Sequence, residues 1–208
     1  MLEPTQILTY VAALGIAAAI PGPGMTALVA RSVSSGASTG FAMLAGLILG
    51  DLTYLSFAVF GLSVLAHSFN ALFVAIKWGA VIYLCYLAWL FWTADHQSMN
   101  TDNSSKRKDL LSASLSGFTI TLGNPKTIAF YLALLPVALD LKKVTIQSWA
   151  FTLMPLTIIV LLGVGAVFIL GAVGVRHILS SAKAQKILHR GAATTMLVAA
   201  GTMVAKET

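Results

Sequence analysis

Charge is scarce in this sequence. Asp, Glu, Lys and Arg make up 10% of its 208 residues against 58% hydrophobic, with a mean hydropathy of +0.87. A soluble domain carries about a quarter charged residues, so a water-facing globule is excluded and the chain is expected to lie in a membrane. Cysteine is nearly absent as well. Cys85 stands alone, which rules out an intrachain disulfide and a cysteine-rich metal site. Catalytic patterns are missing: no HExxH, GxSxG or GxxxxGK[ST] occurs, and His67, His96, His177 and His189 fall at loops or span ends. Hydrolysis inside a membrane needs a nucleophile and base, or a metal, held at depth. ATP-driven chemistry needs a phosphate loop. The chain is therefore read as neither an enzyme nor an ATPase, with no cofactor and no metal.

The charge that is present is lopsided, with 13 basic residues, 7 acidic and a net +6. The basic residues sit in short loops beside apolar spans, which fixes orientation in a bilayer and does not point to nucleic acid. Crossing the hydrocarbon takes about twenty apolar residues. Such spans lie near 7–30, 41–66, 71–93, 110–139, 148–175 and 187–205. The polar loop DHQSMNTDNSSKRKD, 95–109, divides them three and three. One side carries Arg31, Lys106, Arg107, Lys108, Arg176, Lys183, Lys186 and Arg190, while the other carries Lys142, Lys143, Lys206 and Lys77. That asymmetry predicts a cytoplasmic first side and both termini outside. A five-span arrangement would move one terminus across. The first span is expected to be kept and not cleaved as a signal peptide.

The two halves, about 1–94 and 110–205, resemble each other. Gly22-Pro23-Gly24 interrupts the first span as Asn124-Pro125-Lys126 interrupts the fourth, and KWGAVIYLCYLAW (77–89) matches HRGAATTMLVAAG (189–201) weakly. Three spans per half make the halves opposite in orientation, an arrangement many transporters use. The expected fold is thus an all-α integral membrane protein of one domain, residues 1–208. It has six transmembrane helices as a 3+3 inverted repeat, the first and fourth broken.

Proline removes a backbone donor and clashes with the preceding turn. In lipid the released carbonyls are tolerated only against protein or a water-filled cavity. Pro21, Pro23 and Pro125 therefore predict a cavity near mid-membrane, where half-helix N-termini suit a carboxylate. The plainer reading, that prolines only kink helices, stands beside it. Asp51 and Lys126 are ionisable and deep, which costs about 2.5–3.5 kcal/mol each unless a partner or water is near. A purely structural Asp51–Lys126 pair is the alternative to a functional one. Lys77 opens the third span and either carries charge for function or snorkels to the interface. Gly36, Gly40, Gly46 and Gly50 read as helix-packing positions. Trp78, Tyr83, Tyr86, Trp89 and Trp92 read as lipid-facing or interfacial.

Taken in order, PGPG (21–24), the glycine series ending in Gly50-Asp51, KWGAVIYLCYLAW and GNPKTIAF (123–130) resemble the LysE/RhtB family of amino-acid exporters over essentially the whole chain. The resemblance implies a small secondary transporter in the inner membrane that moves amino acids or related metabolites out of the cytoplasm. A passive pore and an intramembrane enzyme are the alternatives. The expected substrate site is Pro21, Gly22, Pro23, Gly24, Asn124, Pro125 and Lys126, with Asp51 and Lys77 as proton-coupling or charge residues. The expected partners are an amino acid and the lipid bilayer, with a homo-oligomer left open.

Overall fold

The structure, a computed structural model, describes residues 2–68, 105–175 and 182–205, together with 82, 85, 86, 89, 92 and 93. Proline placement sets its helix starts. Pro4 opens α1 (Pro4–Ala19), Pro23 opens α2 (Pro23–Ser35) and Pro125 opens α5 (Pro125–Ala138). At a first helical position proline's fixed φ is already helical and its missing N–H costs nothing. The remaining long helices are α3 (Ala37–Ser68), α4 (Ser105–Leu122), α6 (Ile146–Gly174) and α7 (Ala182–Ala205). No strand occurs among the described residues.

Two further prolines lie inside helices, and each follows a widened turn. The π-helical turn Phe130–Leu134 precedes Pro136, and Trp149–Leu153 precedes Pro155. Widening the turn gives the ring room against the carbonyl four residues back, so the helix continues through the proline.

The first break is sharp. α1 and α2 are bent by 57° across the break. Their 16 and 13 residues reach about 24 and 20 Å, and neither alone crosses a hydrocarbon layer of about 30 Å. The interruption therefore falls inside the membrane. By length and composition α3, over Ala37–Gly61, and α6 can each cross alone, and α1 with α2 makes a broken third span. Gly36 joins α2 to α3 at φ 87°, which an L side chain rarely adopts.

The tightest seam runs between α3 and α4, and small residues make it. A Cβ on Gly46 would strike the Ser114 carbonyl, and one on Gly117 would strike the Met43 carbonyl. Across the same seam the Thr121 hydroxyl donates to the Leu47 carbonyl at 3.2 Å. The helices meet backbone to backbone, as small-residue packing in lipid allows. Packing is also what the sequence pointed to for Gly46 and Gly50.

Inside lie Tyr10, Leu14, Leu28, Leu44, Ile120 and Tyr131; outside, large apolar side chains such as Leu8, Phe57, Val137 and Phe151 stand exposed. Of the expected third span, 71–93, the described residues are helical, and Ile82, Cys85, Tyr86, Trp89 and Trp92 face outward. An aromatic outer face agrees with the lipid-facing or interfacial reading. The Arg190 guanidinium of α7 lies 4.9 Å from the Trp92 ring centroid. Residues 95–104 of the expected 95–109 loop lie outside the described residues, as does Lys77, whereas 105–109 are helical and open α4 instead of belonging to a loop.

Candidate transport site

A helix end leaves its last carbonyls and first amides without partners. Both breaks expose such groups, and the chain answers each with a side chain from elsewhere. At the first break the Lys126 ammonium donates to the Ala17 and Ile20 carbonyls, at 2.6 Å each. At the second, the Tyr54 hydroxyl of α3 donates to the Leu122 carbonyl that ends α4. The start of α5 is closed locally, because the Asn124 side chain accepts from the Lys126 amide at 3.1 Å. Asparagine at that position satisfies an otherwise orphaned donor. The start of α2 differs: its cap is Gly22, with no side chain to accept from it.

Of these residues, Ala17, Gly22, Asn124 and Lys126 border one cavity of about 60 Å3. Its walls include Gly22, Gly24, Asp51, Thr121, Asn124 and Lys126. Asn124 is buried, and its side-chain nitrogen lies 3.9 Å from where a Gly24 Cβ would sit. Lys126 runs past Gly22, its Nζ 3.5 Å from where a Cβ there would sit, an ordinary contact. The two breaks thus lie in contact with each other.

Of the residues singled out in the sequence, Gly22, Gly24, Asp51, Asn124 and Lys126 line this one cavity, with Pro23 and Pro125 opening the helices beside it. Pro21 lies in the break itself. Asp51 and Lys126 share the cavity but form no direct ion pair, because the ammonium is held by the α1 carbonyls.

Three tyrosines join the site without any motif to mark them. The Tyr131 ring is stacked with Tyr54 at 6.3 Å between centroids. Its buried hydroxyl lacks a hydrogen-bond partner, although it lies near Asp51 and Tyr10. The Tyr10 hydroxyl meets that of Thr157 at 2.6 Å, and Thr157 in turn donates to the Leu153 carbonyl at 2.7 Å. Thr157 has one hydrogen to give, so Tyr10 is the donor in that pair. A tyrosine hydroxyl at membrane depth needs a polar partner. That requirement, applied to Tyr10, Tyr54 and Tyr131, is the signal the sequence offers for them. A further link joins Thr26 of α2 to Thr195 of α7, hydroxyl to hydroxyl at 3.0 Å.

A cavity with mostly apolar walls that also carry Asp51, Asn124 and Lys126, set between two proline-opened helix breaks in a helical body clad in apolar side chains, suits a membrane translocator. The chain belongs to the LysE type translocator family, whose sequence model matches residues 15–207. It is a multi-pass membrane protein. An uncharacterized membrane protein of Synechocystis sp. is 30% identical over 142 residues, 67% of this chain and 68% of that protein. The leucine efflux protein of Klebsiella pneumoniae is 27% identical over 154 residues, 73% of this chain and 71% of that protein. An uncharacterized membrane protein of Escherichia coli is 27% identical over 138 residues, 62% and 60% of the two chains. No solved structure matches the chain significantly.

Proposed function

We propose that this protein exports amino acids or small amino-acid-like metabolites from the cytoplasm, driven by the proton gradient, through six spans arranged as a 3+3 inverted repeat. The observation that carries the reading is the sharing of one cavity by Asp51, Lys126 and both helix breaks. A zwitterion carries a carboxylate and an ammonium a few bonds apart, so its site needs donors and an acceptor close together and away from bulk water. The uncapped start of α2, at Gly22-Pro23-Gly24, and the Lys126 hydrogen not engaged by α1 suit the carboxylate. Asp51 suits the ammonium and serves as proton carrier. Pro21 and Pro125 hold the breaks open, and Asn124 fixes the second beside the first. Lys77 is retained as a charge residue of the third span.

The family membership and the leucine efflux relative support this substrate class. Ligand pockets run to about 300–1,000 Å3, so a cavity of about 60 Å3 belongs to a closed form. Transport then requires one repeat to rock against the other. The test is a panel. Cells lacking the protein should become more sensitive to dipeptides that flood the cytoplasm with its substrate, and overexpression should protect. Protection against no amino acid or analogue across a broad panel would refute the substrate class.

A further inference from the structure

Lys126 stands where simple electrostatics disfavours it. It is the second residue of α5, and a helix N-terminus carries partial positive charge. A cation there lacks a local reason. The reason lies in the other half of the chain, at the carboxyl end of α1.

α1 ends at Ala19, and Ile20 leaves the helix with extended backbone, φ −70° and ψ 121°. The Ala17 carbonyl has no helical partner after that point, and the Ile20 carbonyl points out of the break. Both converge on one nitrogen at 2.6 Å, at the negative end of the helix dipole. Asp51 lines the same cavity and is the carboxylate among its walls. Two convergent carbonyls at a half-helix C-terminus with a carboxylate at hand make a cradle for a monovalent cation.

We propose that the carbonyl end of α1 is a monovalent-cation site filled by the chain's own Lys126 ammonium. The tethered ammonium takes the place a diffusible Na+ or K+ would occupy. Wild-type transport then needs neither ion, and the charge that stabilises the first break is delivered by the second. Lys126 is in this sense a positioning residue that fastens the two breaks together. Shortening it empties the cradle and leaves room for a free small cation of the same charge. The consequence for transport rests on the export reading above, whereas the occupancy of the cradle does not.

The test uses purified full-length protein and proteoliposomes, with ammonium and methylammonium as probes and choline and tetramethylammonium as bulky controls. Thermal melting of Lys126→Ala should fall below wild type and rise by several degrees in millimolar ammonium or methylammonium relative to choline. Wild type should show no such rise. Lys126→Met fills the lysine's space without its charge and should not respond. In proteoliposomes, wild-type export should be unchanged when choline replaces Na+ and K+. Lys126→Ala should lose at least tenfold in choline and regain at least fivefold in methylammonium. A saturable Na+ or K+ requirement in wild type overturns the proposal, and that arm needs no variant to fold. So does a Lys126→Ala melt insensitive to small cations, or a Lys126→Met response equal to that of Lys126→Ala. Absence of amino-acid export in wild type, with the selective melting intact, would sink the export reading and leave the cradle standing.

Discussion

Replacing Gly46 by alanine tests the seam between α3 and α4 more severely than any core truncation. Alanine is the better helix former by about 1 kcal/mol, so propensity alone predicts a gain. The structure predicts the reverse. The new methyl would meet the Ser114 carbonyl and the Phe118 amide, which are backbone and cannot rotate away. Relieving the clash means parting the helices by about 1 Å, which forfeits a quarter to a half of each van der Waals contact along the seam. Overpacking of this kind costs about 1–3 kcal/mol, and the upper end applies where backbone meets backbone. Parting also breaks the Thr121–Leu47 hydrogen bond, worth about 1 kcal/mol. After the propensity gain the net loss is about 2–3 kcal/mol. At about 2–4 °C per kcal/mol for a chain of this size, the melting temperature should drop by roughly 5–10 °C. Gly163 is the control, since nothing lies within 4 Å of a Cβ placed there, and Gly163→Ala should be neutral or slightly stabilising. Melts of both variants in the same detergent decide the matter. Equal effects at the two positions would refute the account of the seam.

Three further outcomes follow from the site. Asn124→Ala removes the cap of α5 and should cost about 1 kcal/mol, read as a lower melting temperature; an unchanged melt would mean the cap is supplied by another group. Tyr54→Phe strips the donor from the Leu122 carbonyl at the second break and should cost about 1–3 kcal/mol, more than Tyr10→Phe, because Thr157 keeps its bond to Leu153; a larger loss from Tyr10→Phe reverses that ranking. Reporters fused at residue 101 and at the C-terminus should read cytoplasm and exterior respectively, and a cytoplasmic C-terminus would sink the both-ends-out arrangement while sparing the site.

The breaks are legible in the sequence because proline and glycine act through the local backbone, whatever helix packs against it. Pro23 and Pro125 mark helix starts by residue type and position alone. Gly46 and Gly50 are legible as packing residues for the same reason, although their partners Ser114, Phe118 and Thr121 are not. What the sequence hides is the pairing of polar groups across helices. Residue type places Lys126 beside a substrate carboxylate or in a pair with Asp51, yet its ammonium goes first to the α1 carbonyls, 106 and 109 residues away in sequence. Orphan carbonyls exist only once a helix end is placed, so no pattern of residue types announces them. Pro136 and Pro155 are hidden in another way. Their widened turns let α5 and α6 continue, and a turn widened around proline has no residue signature of its own.

Asp51, in the proposed export, couples substrate movement to the proton gradient, and Asp51→Asn tests that role most directly because amide replaces carboxylate with little change of shape. In proteoliposomes loaded with the substrate that the panel identifies, wild type should drive uphill transport under an imposed proton gradient and lose it with a protonophore. Asp51→Asn, inserted at normal levels, should show no uphill transport under the same gradient. Accumulation by Asp51→Asn equal to wild type would contradict the claim.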